Sequence, residues 1–222
     1  MFAQSPKSRL CTCVILIFVV LVTPLDVLAQ TRDLVYTTQS AEIDFDEEIV
    51  FTLEAPWNWP QPESVTLFYG LQHNSLRTFA YADSVLMGAS LNASYSLKVG
   101  DLLLPGTIVE FYRRIINIDG DQLFSKPSRL SYDDPSLPWR FLSDDSIEIV
   151  WHSGGLEFGE RVLSASKAAL KRLEDNFGVG LRYQTRIVIY EEQSAMREAL
   201  GGATSDWVGG QAISPFNIIV LA

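Results

Sequence analysis

Cysteine is all but missing from this chain. Of its 222 residues only Cys11 and Cys13 carry a thiol, and both fall inside an apolar N-terminal run. Without that run no disulfide, thiolate nucleophile or cysteine-held metal is possible, so the fold has to be held by its core. Histidine is nearly as scarce: His73 precedes Asn74-Ser75 and His152 precedes Ser153-Gly154, so neither opens a pair of ligands on successive helix turns. There is no Gly-Lys phosphate loop, no dinucleotide glycine fingerprint and no Gly-x-Ser-x-Gly elbow. Clustered Lys and Arg are absent too, and the net charge is −10. Nucleic acid and anionic membrane surfaces, which need basic clusters, are thereby excluded as partners.

The N-terminus, in contrast, is informative. Lys7 and Arg9 precede an apolar stretch from Cys11 to Val22, which Thr23-Pro24 breaks. Val27 and Ala29 then occupy the −3 and −1 positions of a signal-peptidase site, placing cleavage before Gln30. The apolar core falls short of the roughly 20 residues that span a bilayer as a helix. Residues 1–29 therefore read as a signal peptide and the rest as an exported, extracytoplasmic protein. If left uncleaved, the same segment would give a membrane association.

Residues 33–132 read as strands separated by turns at sandwich-like spacing: Ala41–Phe45, Ile49–Leu53, Ser64–Tyr69, Arg77–Tyr81, Ala93–Val99 and Thr107–Ile118. Asp119-Gly120 predicts a hairpin into Gln122–Phe124. The run Val109 to Ile115 resembles the late strands of an immunoglobulin- or fibronectin-III-like sandwich. Residues 133–145, with Asp133-Asp134-Pro135-Ser136-Leu137-Pro138, have the composition of a stiff linker docked by Trp139, Phe141 and Leu142. Beyond it strands and helices alternate: Ile147–Trp151, a helix from about Glu157 to Phe177, Arg186–Tyr190, a short helix Ser194–Leu200 stopped by Gly201-Gly202, and Phe216–Leu221. The long helix shows a stripe of Phe158, Val162, Ala165, Ala169 and Leu173, joined by Leu163, Leu170 and Phe177. Three strands and two helices are too few to cover both helices. The fold class expected is α+β in two domains, an all-β sandwich followed by an incomplete α/β half-domain.

The order of elements after residue 146, with Arg186–Tyr190, Met196-Arg197-Glu198-Ala199-Leu200, Trp207-Val208-Gly209-Gly210-Gln211-Ala212 and an apolar strand, resembles the N-terminal part of the peptidase MA-like domain. That domain belongs to the gluzincin zinc metallopeptidases. The resemblance covers residues 146–222 and implies an HExxH helix and a third, glutamate ligand after Ala222. None of these ligands is in the sequence. Zinc is therefore expected in a full-length parent and no cofactor in this chain, since its remaining carboxylates suit harder cations. The parent would hydrolyse peptide bonds, with a peptide or protein substrate, and the chain as given would be catalytically inert. In gluzincins a strand before the metal helix edges the active-site cleft, where an extended substrate pairs with backbone. The resemblance puts Gly209, Gly210, Gln211 and Ala212 on that edge as substrate-binding residues. A turn that needs glycine for its dihedrals explains the same residues equally well.

Other constellations are weaker. Glu47-Glu48 and Glu191-Glu192 read as solvated pairs, and Asn92-Ala93-Ser94 is a glycosylation sequon. Trp57-Asn58-Trp59-Pro60 packs a loop over a sandwich end or offers an aromatic platform. The latter would make the chain a non-enzymatic extracellular module that binds a protein or glycan. Phe216–Leu221 is expected to lack partners and to make the C-terminal part the less stable one. N-terminal sequencing of the exported protein should return Gln30; a chain that keeps Met1 in the membrane fraction would replace cleavage with anchoring.

Overall fold

The structure, a computed structural model, describes residues 31–34, 37–99, 103–202, 205 and 207–222; residues 1–29, expected to be a signal peptide, lie outside them. The described residues are α+β and β-dominated, with 47% of them in strands and 17% helical, in three sheets and two α-helices. Among the described residues no helix is long and apolar enough to cross a membrane.

Two of the sheets lie face to face. The larger joins β1 (Thr31–Asp33), β4 (Pro62–Leu71), β5 (Thr78–Tyr81), β8 (Thr107–Asn117), β9 (Gln122–Phe124) and β10 (Ser128–Tyr132), in the order β1-β9-β8-β4-β5 with β10 beside β8. The smaller joins β2 (Thr38–Asp44), β3 (Glu48–Pro56), β7 (Ser90–Lys98) and β6 (Ser84–Met87) in the order β2-β3-β7-β6. Strand β8 shows why they pair: every second residue is buried over its whole length, the period of a pleated strand with one face on a core. Phe111 of β8 meets Phe51 of β3 edge-on, ring centroids 5.0 Å apart. Val65 and Ile115 face Leu53 and Leu91 at one end of the interior, while Leu67 and Val109 face Ile49 at the other. The Asp119-Gly120 turn closes β8 on β9 as the sequence predicts, with Gly120 at φ +83° and Asn117 Oδ1 accepting the N–H groups of Asp119 and Asp121.

One inward position of β8 is charged. Arg113 is 2% exposed, and its Nη1 donates to Gln39 Oε1 at 3.1 Å. Burial pulls its guanidinium down to about 10, which still leaves it a cation at neutral pH.

The third sheet joins β11 (Arg140–Ser143), β12 (Ile147–Trp151), β13 (Thr185–Ile189), β15 (Ile218–Leu221) and β14 (Gly210–Ile213) in that order. The three inner strands are parallel and the two edges antiparallel. Their near-continuous Ile and Val runs follow from cover on both faces. Helix α1 (Leu156–Phe177) lies over β12 and β11, and α2 (Gln193–Ala199) packs Met196 onto Val150, Val188 and Val220 on the other face.

Several expectations are corrected here. Phe216–Leu221 is not an unpartnered edge: β15 begins at Ile218 and is bonded on both sides, while Phe216 belongs to a 3-10 turn, Ser214–Phe216. The sheet has five strands rather than three, because Arg140–Ser143, inside the expected linker, forms β11 and Gly210–Ile213 forms β14. The inward line of α1 keeps only part of the expected stripe: Phe158, Val162, Leu163 and Leu170 face the sheet, whereas Ala165, Ala169, Leu173 and Phe177 do not. Gly159 is its one buried residue, since a Cβ there would sit 2.3 Å from the Trp151 ring. Val162, Leu163 and Leu170 follow it inward, whereas Leu173 and Phe177 stay 51% and 69% exposed. The shortage of cover for α1 is thus real, and it falls on the last turns.

Arg186 of β13 reaches out of this sheet. Its Nη2 donates to Asp133 Oδ2 at 2.9 Å, its Nη1 to Ser131 Oγ, and Glu148 Oε2 lies 3.5 Å from Nε. Asp133 and Arg186 side chains are 9% and 6% exposed. Removing one partner of such a pair strands the other charge in the interior. Asp133→Ala should therefore destabilise the protein by about 3 kcal/mol, and Asp133→Leu with Arg186→Met by clearly less. Urea unfolding of the two variants checks this.

Candidate functional site

The four residues singled out in the sequence sit together at the open edge of the third sheet. Gly210, Gln211 and Ala212 belong to β14, and Gly209 leads into it. Strand β14 exists because the Ser214-Pro215-Phe216 turn, closed by Asn217 at φ +54°, reverses the chain beside β15. The register pairs Gly210 with Leu221, Gln211 with Val220, Ala212 with Ile219 and Ile213 with Ile218. Two further bonds fix its start: Ala222 N–H donates to the Gly209 carbonyl at 3.1 Å and Gln193 Nε2 to the Val208 carbonyl at 2.7 Å.

The turn explanation of the glycines does not hold. Neither Gly209 nor Gly210 has a positive φ; the left-handed glycines of this region are Gly201 and Gly202, which end α2. Gly210 is required for another reason. A Cβ there would lie 2.4 Å from Leu221 Cδ2 and 3.0 Å from the Val220 carbonyl oxygen. Nothing lies within 4 Å of a Cβ at Gly209, so that position is free of packing constraint. Gln211 and Ala212 are exposed, and among the described residues no strand pairs with the outer side of β14.

The carboxyl ends of β12, β13 and β15 open on a cavity of about 360 Å³ lined by Trp151, Ser153, Phe158, Glu191 and Ala222. Behind it stands an aromatic cluster. His152 meets Trp139 and Tyr190 edge-on at 4.9 and 5.8 Å, and its Nε2 accepts the Glu191 N–H at 3.3 Å. Tyr190 is 4% exposed; burial, reinforced by Asp133 and Asp134, pushes its phenol well above the usual range and keeps it protonated. His73 lies far along the chain in the turn after β4, stacked on Tyr183 at 4.4 Å. The two imidazoles are thus engaged separately. Among the described residues no group of three or more His, Cys, Asp or Glu is placed to hold a metal. Glu191 and Glu192 are exposed, and Glu48 pairs with Lys98 at 2.9 Å.

What the sequence did not disclose is the partner of Gly210. Leu221 lies eleven positions on, and only the pairing of β14 with β15 brings them together.

No family model and no curated protein matches the chain. Among solved structures, a myokine structure is similar at 12% identity and TM-score 0.33, covering 44% of this chain and 94% of its own. A purple acid phosphatase from yellow lupin seeds is similar at 14% identity and TM-score 0.35, over 70% of this chain and 28% of its own. A polysaccharide deacetylase from Bacillus cereus is similar at 8% identity and TM-score 0.34, over 78% of this chain and 57% of its own. At these TM-scores the likenesses identify no family and carry over no activity.

Gly210→Val should displace Leu221 and loosen β14 while leaving β12 and β13 paired, at an expected loss of about 1–3 kcal/mol typical of overpacking. Amide exchange checks it: protection should fall at Gln211–Ile213 and persist at Ile187–Ile189.

Proposed function

We propose that residues 146–222 are the front portion of an exported gluzincin-like peptidase domain, and that β14 receives an extended peptide. Residues 33–132 are, in this reading, an immunoglobulin-like sandwich that precedes it, and the Asp133 segment joins the two. The observation that carries the reading is the outer side of β14. It is an antiparallel edge on a parallel sheet, with unpaired backbone groups and the sequence Gly-Gln-Ala-Ile. Proteins normally blunt such an edge with charge, proline or a covering segment. The other edge, β11, opens with Arg140, two residues after Pro138. Strand β14 has neither charge nor proline, as befits a strand that must accept another.

The chemistry is not assigned to these residues. The zinc ligands belong to an HExxH helix that the sequence does not contain, so the contribution of this chain is the alignment of the substrate. An extended peptide antiparallel to β14 would exchange backbone bonds with it, and Gly209 would let the peptide approach without a side chain in the way.

The test is titration of the full chain with a short Val/Thr-rich extended peptide, followed by NMR amide shifts. Perturbation confined to residues 209–213 is expected, and it should vanish with the same peptide N-methylated on alternate residues. Shifts elsewhere, or an N-methylated peptide that binds equally, would remove β14 as the docking edge.

A further inference from the structure

Strands β5 and β6 follow one another in the chain but end different sheets, β5 the larger and β6 the smaller. Among the described residues each is paired on one side only, β5 to β4 and β6 to β7. One side of the two facing sheets thus presents two open strand edges, about 10 Å apart as stacked sheets are. Thr78–Tyr81 and Ser84–Met87 contain neither charge nor proline. Other one-sided strands of these sheets are blunted: β2 carries Glu42 and Asp44, and β10 carries Arg129 two residues after Pro127. Such blunting is the usual defence against strand addition.

The surface around the two edges is apolar. Leu76, Phe79, Tyr81, Val85, Leu86 and Met87 are 40–76% exposed. At about 200 Å² for a large side chain the six expose roughly 700 Å² of apolar surface. That exceeds the roughly 300–600 Å² of the largest apolar patch on a typical monomer and approaches the ~800 Å² per partner of a standard interface. Val85 and Met87 show where cover is missing. The register sets them opposite Ala93 and Leu91, which are buried, so they face the interior between the sheets and still meet water.

We propose that this side is the interface with a second copy of the chain, in an isologous dimer whose two-fold axis stands normal to the sheets. A peptide strand would pair with one edge and leave the other open, whereas a second copy brings both edges at the same spacing. Strand β6 is also self-complementary. Laid antiparallel with Leu86 opposite the partner's Leu86, it sets Val85 opposite the partner's Met87 and Ser84 opposite the partner's Gly88, and every pair is neutral. The same axis brings Phe79 and Tyr81 of β5 toward their copies. Charge points to the same side: two chains of −10 repel, and their approach costs least where the surface is uncharged. The nearest charges, Arg77 and Asp83, are held on their own chain by Glu110 and by the Ser96 N–H. Pairing β6 with the partner's β2 instead would set acids against apolar residues and would propagate head to tail rather than close. The inference is independent of β14 and of the peptidase reading.

Sedimentation equilibrium of the full chain should show a monomer–dimer equilibrium with a dissociation constant of about 1–100 μM and no larger species. Raising the salt from about 50 to 500 mM should tighten it, the reverse of an interface held by ion pairs. Leu86→Lys, at a position that faces solvent, should weaken association at least about tenfold. A thermal melt shows whether that variant is folded, and a cross-link decides the matter if it is not. Leu86→Cys places two thiols across the axis with Cα atoms about 4.5–5.5 Å apart, within disulfide reach. Under mild oxidation it should form covalent dimers about tenfold faster than Glu42→Cys on the β2 edge, with the parent chain as the control for Cys11 and Cys13. A chain that stays monomeric at about 200 μM, above the whole expected range, overturns the inference and leaves this side to a different occupant. So does a dimer that folded Leu86→Lys does not weaken, association that salt weakens, growth past the dimer, or equal cross-linking at the two positions.

Discussion

A guanidinium cannot be taken out of water alone. Arg186 lies in the central strand of the third sheet with a side chain only 6% exposed, and desolvation of such a charge costs several kcal/mol unless anions and acceptors come with it. Its neighbour on β12, Glu148, supplies one carboxylate at 3.5 Å. The stronger partner comes from the end of the larger sheet, through Ser131 of β10 and Asp133 just after it. The third sheet therefore has a polar requirement that only the chain around residues 131–133 fulfils. Packing agrees with it. Gly106, at φ +84° in the turn leading into β8, comes so close to Val188 that a Cβ would lie 2.4 Å from Cγ2. A glycine is needed at that point both for its dihedral and for the space. The same turn is held by the Gly106 N–H, which donates to the Tyr132 carbonyl at 2.8 Å, one residue before Asp133. Ion pair, tight contact and strand end thus form one connected joint.

That joint explains which parts of the fold were legible in the sequence. Strand β8 was plain from its Val, Ile, Phe and Tyr content and the Asp119-Gly120 turn after it, although its alternation of buried and half-buried residues, with Arg113 inward, shows only in the fold. Helix α1 was plain as an element, ending at Gly178 with φ +66°, but not in its rotation. The apolar stripe marks Phe158, Val162, Leu163 and Leu170 as inward, which they are, but also Ala165, Ala169 and Leu173, which are exposed. The deciding residue is Gly159, whose missing side chain admits the Trp151 ring and turns Val162 and Leu170 toward the sheet. Propensity scales read a glycine as a weakness and are silent about what it lets in. The short edge strands β11 and β14 were missed for a related reason. Four residues that pair on one side only carry no periodic signature, and a proline before one and glycines before the other read as loop. Their strand character is supplied by β12 and β15.

The site was legible in part. Gly209 to Ala212 lie together at one open edge, and what packs against Gly210 there is Leu221 and not a turn. Asp133, named in the sequence only as part of a stiff linker, turns out to be the anion that Arg186 requires. A linker acid and a strand arginine 53 positions apart give no sequence signal of their pairing.

The length of β14 limits what its edge can do. The strand has 4 residues, and in an antiparallel ladder only alternate residues direct their N–H and C=O outward. About two to four bonds to a guest strand follow, each worth roughly 0.5–1.5 kcal/mol net. Their sum is near the free energy of a millimolar complex, about 4 kcal/mol. An edge of this kind aligns a peptide without holding it. Ala212 and Ile219 form a cross-strand pair on one face of the sheet, and Gln211 and Val220 on the other. Neither pair builds a deep pocket for a guest side chain, because Gln211 and Ala212 both stand exposed. Selectivity would then have to come from groups placed beside β14 by another segment or partner. Under the proposed peptidase reading weak alignment would suffice, since backbone pairing that is indifferent to side chains accepts many sequences and leaves discrimination to the groups around the scissile bond.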